Sequence, residues 1–186
     1  MHTETDLETM ILGPVLADRA CGDCTVCCTV LAIDTQDFKK PAETPCAHRS
    51  AGGCDIYDMR PHICRTWFCA WRRVAAMPDA ARPDRSGLLV SLNFVQKPQN
   101  CFEGVAINVR ALAGSEAIQN GMAATVLDSV CDQLVPVWFS DGSKKMLMHP
   151  ENDVARLVLS GDVAPAHLQD EVGAWRERYG VFAANV

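Results

Sequence analysis

The sequence lacks any long hydrophobic run, and this absence excludes one class of protein. No apolar stretch among the 186 residues approaches the ~18 residues that a membrane-spanning helix needs, and the mean hydropathy is +0.00. The first twenty residues also lack the basic start and apolar centre of a secretory signal, because they carry four acidic side chains and one arginine. We therefore expect a protein that does not span a membrane and that resides in the cytoplasm.

The sequence also lacks the signatures of several catalytic and nucleic-acid-binding classes. It contains no glycine-rich phosphate loop, no Gly-x-Ser-x-Gly turn and no His-Glu-x-x-His motif. Aromatic residues make up only 6%, and the formal net charge is -6. The one basic stretch is too sparse to indicate nucleic-acid binding, and we predict that it forms a solvated face. Its members are Arg72, Arg73, Arg82, Arg85 and Lys97.

Cysteine, by contrast, is abundant, with ten in the chain. Eight of them lie within residues 21–69: Cys21, Cys24, Cys27, Cys28, Cys46, Cys54, Cys64 and Cys69. In a reducing compartment such a cluster indicates a metal site rather than a disulfide framework. The Cys-x-x-Cys spacing lets two thiolates reach one ion while the amides between them turn toward the sulfurs. We therefore predict that all eight cysteines are metal ligands.

The sequence leaves the identity and the number of the metal centres open. Two Zn²⁺ ions with four cysteines each would form closed structural sites. Cys21, Cys24 and Cys27 with one distant cysteine equally suit a four-iron iron–sulfur cluster, and soft thiolates accept either metal. Adjacent side chains in extended backbone point in opposite directions, so the neighbours Cys27 and Cys28 favour two centres, unless one of them is a spare thiol.

The cysteine segment resembles a known family. Three parts of it carry the resemblance: Cys21-Gly-Asp-Cys-Thr-Val-Cys-Cys, then Cys46, then Cys54-Asp-Ile-Tyr-Asp-Met-Arg-Pro-His-Ile-Cys-Arg-Thr-Trp-Phe-Cys. They are similar to the CxxCxxCC, or YkgJ-type, family of bacterial zinc- or iron-chelating proteins. The positions that match are all eight cysteines and Ile56, Tyr57, Arg60, Pro61 and Arg65. The resemblance covers about residues 21–69 and implies metal chelation through these cysteines, but it implies no particular reaction.

Two arginines in this segment are candidate supporting residues for the bound cofactor. Pro61 fixes its own φ and pushes Arg60 toward an extended conformation, which shapes the turn before Cys64. Arg60 and Arg65 are expected to donate hydrogen bonds to sulfurs or carbonyls around the centre. Their charges would also offset that of the thiolates, which are the ligand form of cysteine.

The other candidate residues have simpler interpretations. His48 and His62 can each replace a cysteine as a ligand, although eight thiols already compete for that role. Cys101 and Cys131 are expected to be small buried residues rather than ligands. Two aromatic side chains of the cysteine segment are expected to shield the centre from water, namely Tyr57 and Trp67.

The hydrophobic patterns predict an α+β fold in which a loop-rich cysteine module packs on a small antiparallel sheet with helices. Residues 1–86 comprise an N-terminal helix and the eight-cysteine metal-binding module. Residues 87–186 form the α+β scaffold, packed with the first part as one compact unit.

Individual elements follow from the spacing of apolar residues. Two-residue periods predict an antiparallel pair of strands, and Asp141-Gly142 predicts the turn of a hairpin. The strands fall at 88–94, 105–111, 135–140 and 144–149. Helical spacing predicts helices at 5–19 with a break at Gly13-Pro14, at 70–78, from Ser115 to Leu134, from Asn152 to Gly161 and from Pro165 to Gly180.

These observations favour a cytoplasmic metalloprotein whose module binds zinc or an iron–sulfur cluster, with a structural, redox-sensing or metal-handling role. One alternative is an iron–sulfur or metal-dependent enzyme with a substrate site against residues 87–186, which requires an open coordination position. Another is a zinc-dependent interaction module with a protein partner. Metal ions are the partners common to all three hypotheses, and nucleic acid and membranes are not expected partners.

Overall fold

The computed structural model describes residues 4–113, 115–131, 134–141 and 144–180. Within these ranges it confirms the predicted α+β class. The helices are α1 (Glu4–Leu12), α2 (Val26–Val30), α3 (His62–Thr66), α4 (Pro83–Ser86), α5 (Met122–Asp128), α6 (Asn152–Ser160) and α7 (Gln169–Tyr179). The strands are β1 (Ile33–Asp34), β2 (Lys39–Lys40), β3 (Arg49–Ser50), β4 (Gly53–Cys54), β5 (Leu88–Phe94), β6 (Val105–Ala111), β7 (Val137–Ser140) and β8 (Lys145–His149).

The cysteine-rich part consists of short elements joined by loops. β1 pairs with β2 and β3 pairs with β4, each as an antiparallel hairpin with two residues per strand. Isolated hairpins of this kind are marginally stable in water, so other contacts must hold this part of the chain in place. None of the described helices, here or elsewhere, is long and apolar enough to cross a bilayer.

The main sheet has the strand order β5-β6-β7-β8. The predicted antiparallel pair is confirmed, with a register from Leu88↔Ala111 to Phe94↔Val105, and so is the hairpin of β7 and β8. The predicted turn residue Gly142 lies outside the described residues. β6 and β7 are parallel, so this one pairing departs from the antiparallel sheet that the sequence predicts. A parallel pair requires a crossover connection, and α5 lies in it.

The segment after Cys69 differs from the helix predicted for residues 70–78. It begins with a 3-10 turn over Ala70–Arg72 and continues in turns to Pro78. The guanidinium of Arg19 donates hydrogen bonds to four carbonyls of this segment, those of Trp71, Val74, Ala75 and Met77. In a regular helix these carbonyls would accept bonds from the backbone. A side chain distant in sequence therefore replaces helical hydrogen bonding here.

The remaining predicted helices are present, but three of them are shorter than predicted. α1 ends at Leu12 and does not resume after Gly13-Pro14, and α7 begins at Gln169 after a 3-10 turn over Ala166–Leu168. α6 and α7 end before the two glycines that predict their ends. α5 begins at Met122 rather than near Ser115, because Gly121 before it has a φ of +77° that cannot continue a right-handed helix. The Ser115 Oγ instead accepts a hydrogen bond from the N–H of Ala117 at 3.1 Å, within a turn.

Two hydrophobic clusters hold these elements together. The larger one joins Ile11 and Leu12 of α1 and the segment after Cys69 to the buried face of β5, β6 and β7. The smaller one lies around α6 and α7, where the fully buried Trp175 meets Phe102 edge-on with 5.7 Å between ring centroids. Because the first cluster includes residues from both parts of the chain, the cysteine module is fixed against the sheet by apolar packing.

Candidate metal centre

One cavity of about 280 Å³ receives all eight of the cysteines predicted to bind metal. Its lining includes Cys21, Cys24, Cys27, Cys28, Cys46, Cys54, Cys64 and Cys69. None of the ten cysteines, all of which lie in the described ranges, forms a disulfide. The fold therefore gathers the whole predicted ligand set at one place, with no thiol in a disulfide.

The first four cysteines lie on a turn and at the start of α2. The N–H of Cys24 donates to the carbonyl of Cys21 at 2.9 Å and closes the first Cys-x-x-Cys turn. Cys27 and Cys28 occupy consecutive positions of α2. Consecutive helical side chains point about 100° apart, so these two thiols face neighbouring directions, whereas extended backbone would direct them oppositely.

A second ligand-bearing segment is hydrogen-bonded to α2. The N–H of Cys46 donates to the carbonyl of Cys28 at 2.9 Å, and the N–H of Arg49 donates to the carbonyl of Cys46 at 3.1 Å. The β3–β4 hairpin then sets Cys54 opposite Arg49. The Arg49 Nε also donates to the Thr25 Oγ1 at 2.9 Å, which ties this hairpin to the residue before α2.

A close contact between two glycines holds the same hairpin against the first turn. Gly53 has a φ of +121°, and a Cβ at this position would lie 2.4 Å from the carbonyl oxygen of Gly22. Only glycine permits both this backbone conformation and this approach. Because Gly22 follows Cys21 and Gly53 precedes Cys54, the contact joins two segments that carry predicted ligands.

The last two cysteines reach the cavity from the C-terminal end of the module. Cys64 lies in α3, and the carbonyl of Cys69 accepts a hydrogen bond from the N–H of Arg72 at 3.0 Å. Arg19, two residues before Cys21, binds carbonyls of the segment that follows Cys69. The two ends of the module are therefore held side by side.

The adjacent thiols of Cys27 and Cys28 are electrostatically coupled. A hydrogen bond between their side chains raises the pKa of Cys27, and burial raises it further. The same bond lowers the pKa of Cys28 to about 6, and the positive charges of Lys40, Arg49 and Arg60 favour this shift. Within the pair, this hydrogen bond and the nearby cations favour the thiolate on Cys28 rather than on Cys27.

Burial raises the pKa of other thiols of the cavity. It raises the pKa of Cys69 to about 11 and also raises the pKa of Cys64, and in both cases negative charge on neighbouring cysteines adds to the shift. Thiolates packed this closely repel one another, and a bound cation removes that repulsion. A metal bound by these thiols would therefore displace their protons.

Lys40 is a buried cation beside this cavity that the sequence analysis does not identify. Its side chain lines the cavity, and the residue is 5% exposed. Its Nζ donates to the carbonyls of Thr29 at 3.0 Å, Pro41 at 3.0 Å and Thr44 at 2.8 Å. Its charge is one of those that lower the pKa of Cys28. A pair of consecutive lysines gives no sequence signal that the second one is buried.

Arg82 is a second cation that lines the cavity. The prediction that the basic stretch forms a solvated face is wrong for this residue, because Arg82 is only 9% exposed. Its Nε donates to Asp84 at 2.6 Å, and its Nη2 binds Asp23. These bonds lower the pKa of both carboxyls. Asp84 in turn shares a hydrogen bond with the thiol of Cys24, so Arg82 organises the acidic side of the first turn.

The same prediction is wrong for Arg73, which is 4% exposed. Its Nη2 lies 2.9 Å from a carboxylate oxygen of Glu8, and its Nη1 donates to the carbonyl of Gly13 at 3.1 Å. Buried charges require such partners. Arg73 has its acidic partner 65 positions away in sequence, whereas Arg82 binds both Asp23, 59 positions away, and Asp84, two positions away.

Of the two arginines predicted to support the centre, Arg60 is the one that lines the cavity. Its guanidinium carbon lies 3.6 Å from the centroid of the Tyr57 ring, and its Nε donates to the Tyr57 carbonyl at 2.7 Å. The bond that it makes is therefore to a carbonyl. Arg65 is exposed and lies outside the cavity lining.

Of the other candidate residues, some line the cavity and others lie outside it. Tyr57 and Trp67 line the cavity, as their predicted shielding role requires, and His48 also lines it. His62 is exposed, and its N–H lies 3.4 Å from a carboxylate oxygen of Asp37. The two remaining cysteines pack against the two hydrophobic clusters away from the cavity, Cys131 against the larger and Cys101 against the smaller.

The chemistry of these side chains suits a thiophilic metal, but their sulfurs are not in a coordinating arrangement. Eight thiols outside disulfides line one cavity together with cations that can balance thiolate charge. Among the described residues, no three Cys, His, Asp or Glu side chains are placed so that they could hold a metal ion. Binding therefore requires the side chains around the cavity to close on the ion.

Comparison of the chain with protein-family models, with curated proteins and with solved structures gives no match. The resemblance to the YkgJ-type family consequently stays a prediction that depends on the residues of the cysteine motif.

Proposed function

We propose that this chain is a metalloprotein whose eight-cysteine module binds zinc or an iron–sulfur cluster in the cavity beside the sheet. The observation that carries the proposal is the gathering of all eight thiols, none of them in a disulfide, around one cavity. Thiols without a shared ligand gain nothing from being brought together, because their ionised forms repel one another. A metal ion turns that repulsion into coordination.

The surroundings of the thiols support the same proposal. Lys40, Arg60 and Arg82 line the cavity and supply positive charge where a set of thiolates would concentrate negative charge. Aromatic side chains of Tyr57 and Trp67 complete the wall and limit the access of water. A partly apolar wall around thiolate ligands stabilises the bound metal and sets its redox properties.

The two candidate metals imply different roles for this module. Zinc held by cysteines alone has no redox chemistry, so it would serve a structural or metal-handling role. An iron–sulfur cluster changes its redox state, and hydrogen bonds and burial tune its potential, so it would suit redox sensing. In either case the cysteines have to stay reduced, which accords with residence in the cytoplasm.

Metal and acid-labile sulfide measured on anoxically purified protein test the proposal. Iron with equimolar sulfide and a brown colour would identify a cluster, whereas colourless protein with stoichiometric zinc would identify the structural alternative. Cys24→Ser should lower the metal content and the melting temperature together, and Cys131→Ser, whose sulfur lies outside the cavity, should leave the metal content unchanged. Absence of metal together with ten titratable thiols, or equal metal retention in the two variants, would refute the proposal.

A further inference from the structure

The eight cysteines approach the cavity in two sets of four, which meet at α2. We propose that they form two separate four-cysteine centres. The first centre comprises Cys21, Cys24, Cys27 and Cys69, and the second comprises Cys28, Cys46, Cys54 and Cys64. This inference rests on the proposed metal-binding function and adds how the sulfurs are divided.

The helix α2 supplies one ligand to each centre. Cys27 and Cys28 are consecutive in this helix, so their side chains leave the axis about 100° apart. We therefore assign each of them to a different set of cysteines. Their side chains still contact each other, which places the two centres next to one another rather than at opposite ends of the module.

The first centre is assembled from the two ends of the module. The turn from Cys21 to Cys24 is closed by a backbone hydrogen bond of 2.9 Å, and Arg19 binds this end to the segment after Cys69. The electrostatic neighbours agree with this geometry. Apart from its helix neighbour Cys28, the cysteines whose charge acts on Cys27 are Cys21 and Cys69, and charge on Cys21 and Cys24 acts on Cys69.

The second centre is assembled from the middle of the module. The N–H of Cys46 donates to the carbonyl of Cys28, and the hairpin that follows places Cys54 opposite Arg49, three residues after Cys46. Cys64 completes this set from α3. Charge on the other three cysteines of the set, Cys28, Cys46 and Cys54, acts on Cys64.

The two centres differ in their charged surroundings. Lys40, Arg49 and Arg60 act on Cys28 in the second centre, whereas the carboxylate of Asp84 contacts Cys24 in the first. A cationic environment stabilises thiolates and an acidic one opposes them. The two sets therefore lie in different charged surroundings, and Arg82, which binds Asp84, adds a cation beside the first.

Metal content per chain in cysteine variants tests the division. Cys69→Ser and Cys64→Ser should each lose one centre, and thus half of the metal bound by the wild type if both centres hold the same metal. The double variant Cys21→Ser/Cys69→Ser, within one set, should lose no more than Cys69→Ser alone. The double variant Cys64→Ser/Cys69→Ser, across the sets, should lose all metal. Cys101→Ser is the control that should lose none.

A measurement on the unaltered chain keeps the test independent of whether variants fold. After the reduced chain is loaded with Cd²⁺, its cadmium-113 spectrum should show two signals of equal intensity without mutual splitting. One signal, or two signals split by each other through shared sulfurs, would overturn the division, as would a within-set double variant that loses all metal while remaining folded. A wild-type chain that binds no metal would instead refute the proposed function.

Discussion

Replacing Lys40 tests whether a buried ammonium organises the cysteine module. Lys40→Met keeps most of the aliphatic stem but removes the Nζ that binds three backbone carbonyls at 2.8 to 3.0 Å. An unsatisfied buried carbonyl costs ~1–3 kcal/mol. Because these bonds are only partly buried, ~1 kcal/mol for each is appropriate, and we expect Lys40→Met to lower the free energy of unfolding by ~3 kcal/mol.

The neighbouring residue supplies a matched control for this prediction. Lys39 pairs with Asp34 at 2.7 Å, but both side chains are largely exposed, at 73% and 80%. Exposed pairs of this kind contribute ~0–1 kcal/mol, so Lys39→Met should have little effect. Urea unfolding followed by tryptophan fluorescence, at one fixed metal content, measures both variants. Equal losses of stability in the two variants would refute the role assigned to Lys40.

Two further predictions concern a glycine and a tyrosine. Gly53→Ala should destabilise the chain by ~2–4 kcal/mol and lower its metal content, since the new Cβ would lie 2.4 Å from the Gly22 carbonyl oxygen on a backbone with positive φ. Gly52→Ala, where a Cβ meets nothing within 4 Å, is its control, and similar urea midpoints for the two variants would contradict the prediction. Burial raises the pKa of Tyr179 to about 12, so the folded state favours the neutral phenol. Its contribution to stability is complete below about pH 10 and is lost as the pH rises from 10 through 12. In a Tyr57→Phe background, where Tyr179 is the only tyrosine, phenolate absorbance should rise with a midpoint near pH 12; a midpoint near 10 would contradict the burial of this ring.

Much of the scaffold could be predicted from the sequence because its elements are specified locally. The two-residue periods in Leu88–Phe94 and Val105–Ala111 predict strands, and both strands occur with those bounds, although β5 is buried on both faces from Leu88 to Leu92. The parallel pairing of β6 with β7 was not predictable in the same way. It depends on how the connection through α5 crosses the sheet, which the period of apolar residues does not encode.

The grouping of the cysteines was predictable from the sequence, whereas the charged residues around them were not. Clustered cysteines predict a common location whatever the fold between them, and the eight thiols do share one cavity. Lys40 gave no such signal, because its ammonium is buried against backbone carbonyls that the fold brings to it. Arg82 likewise binds Asp23 only through the fold, although its second partner, Asp84, is close in sequence. The prediction of a helix after Cys69 was wrong for a similar reason. Carbonyls of this segment accept hydrogen bonds from Arg19, a partner that only the fold supplies.

The shared hydrophobic cluster has a consequence for the order of events during synthesis. The apolar residues of α1 and of the segment after Cys69 pack against strands that continue to Phe139, roughly 70 positions beyond the last clustered cysteine. At translation rates of ~5–20 residues per second, that stretch takes about 4–14 s to make. The eight thiols thus emerge from the ribosome seconds before the surface that backs them, so each nascent chain passes through an interval in which its sulfurs are open to oxidants and to the wrong ion.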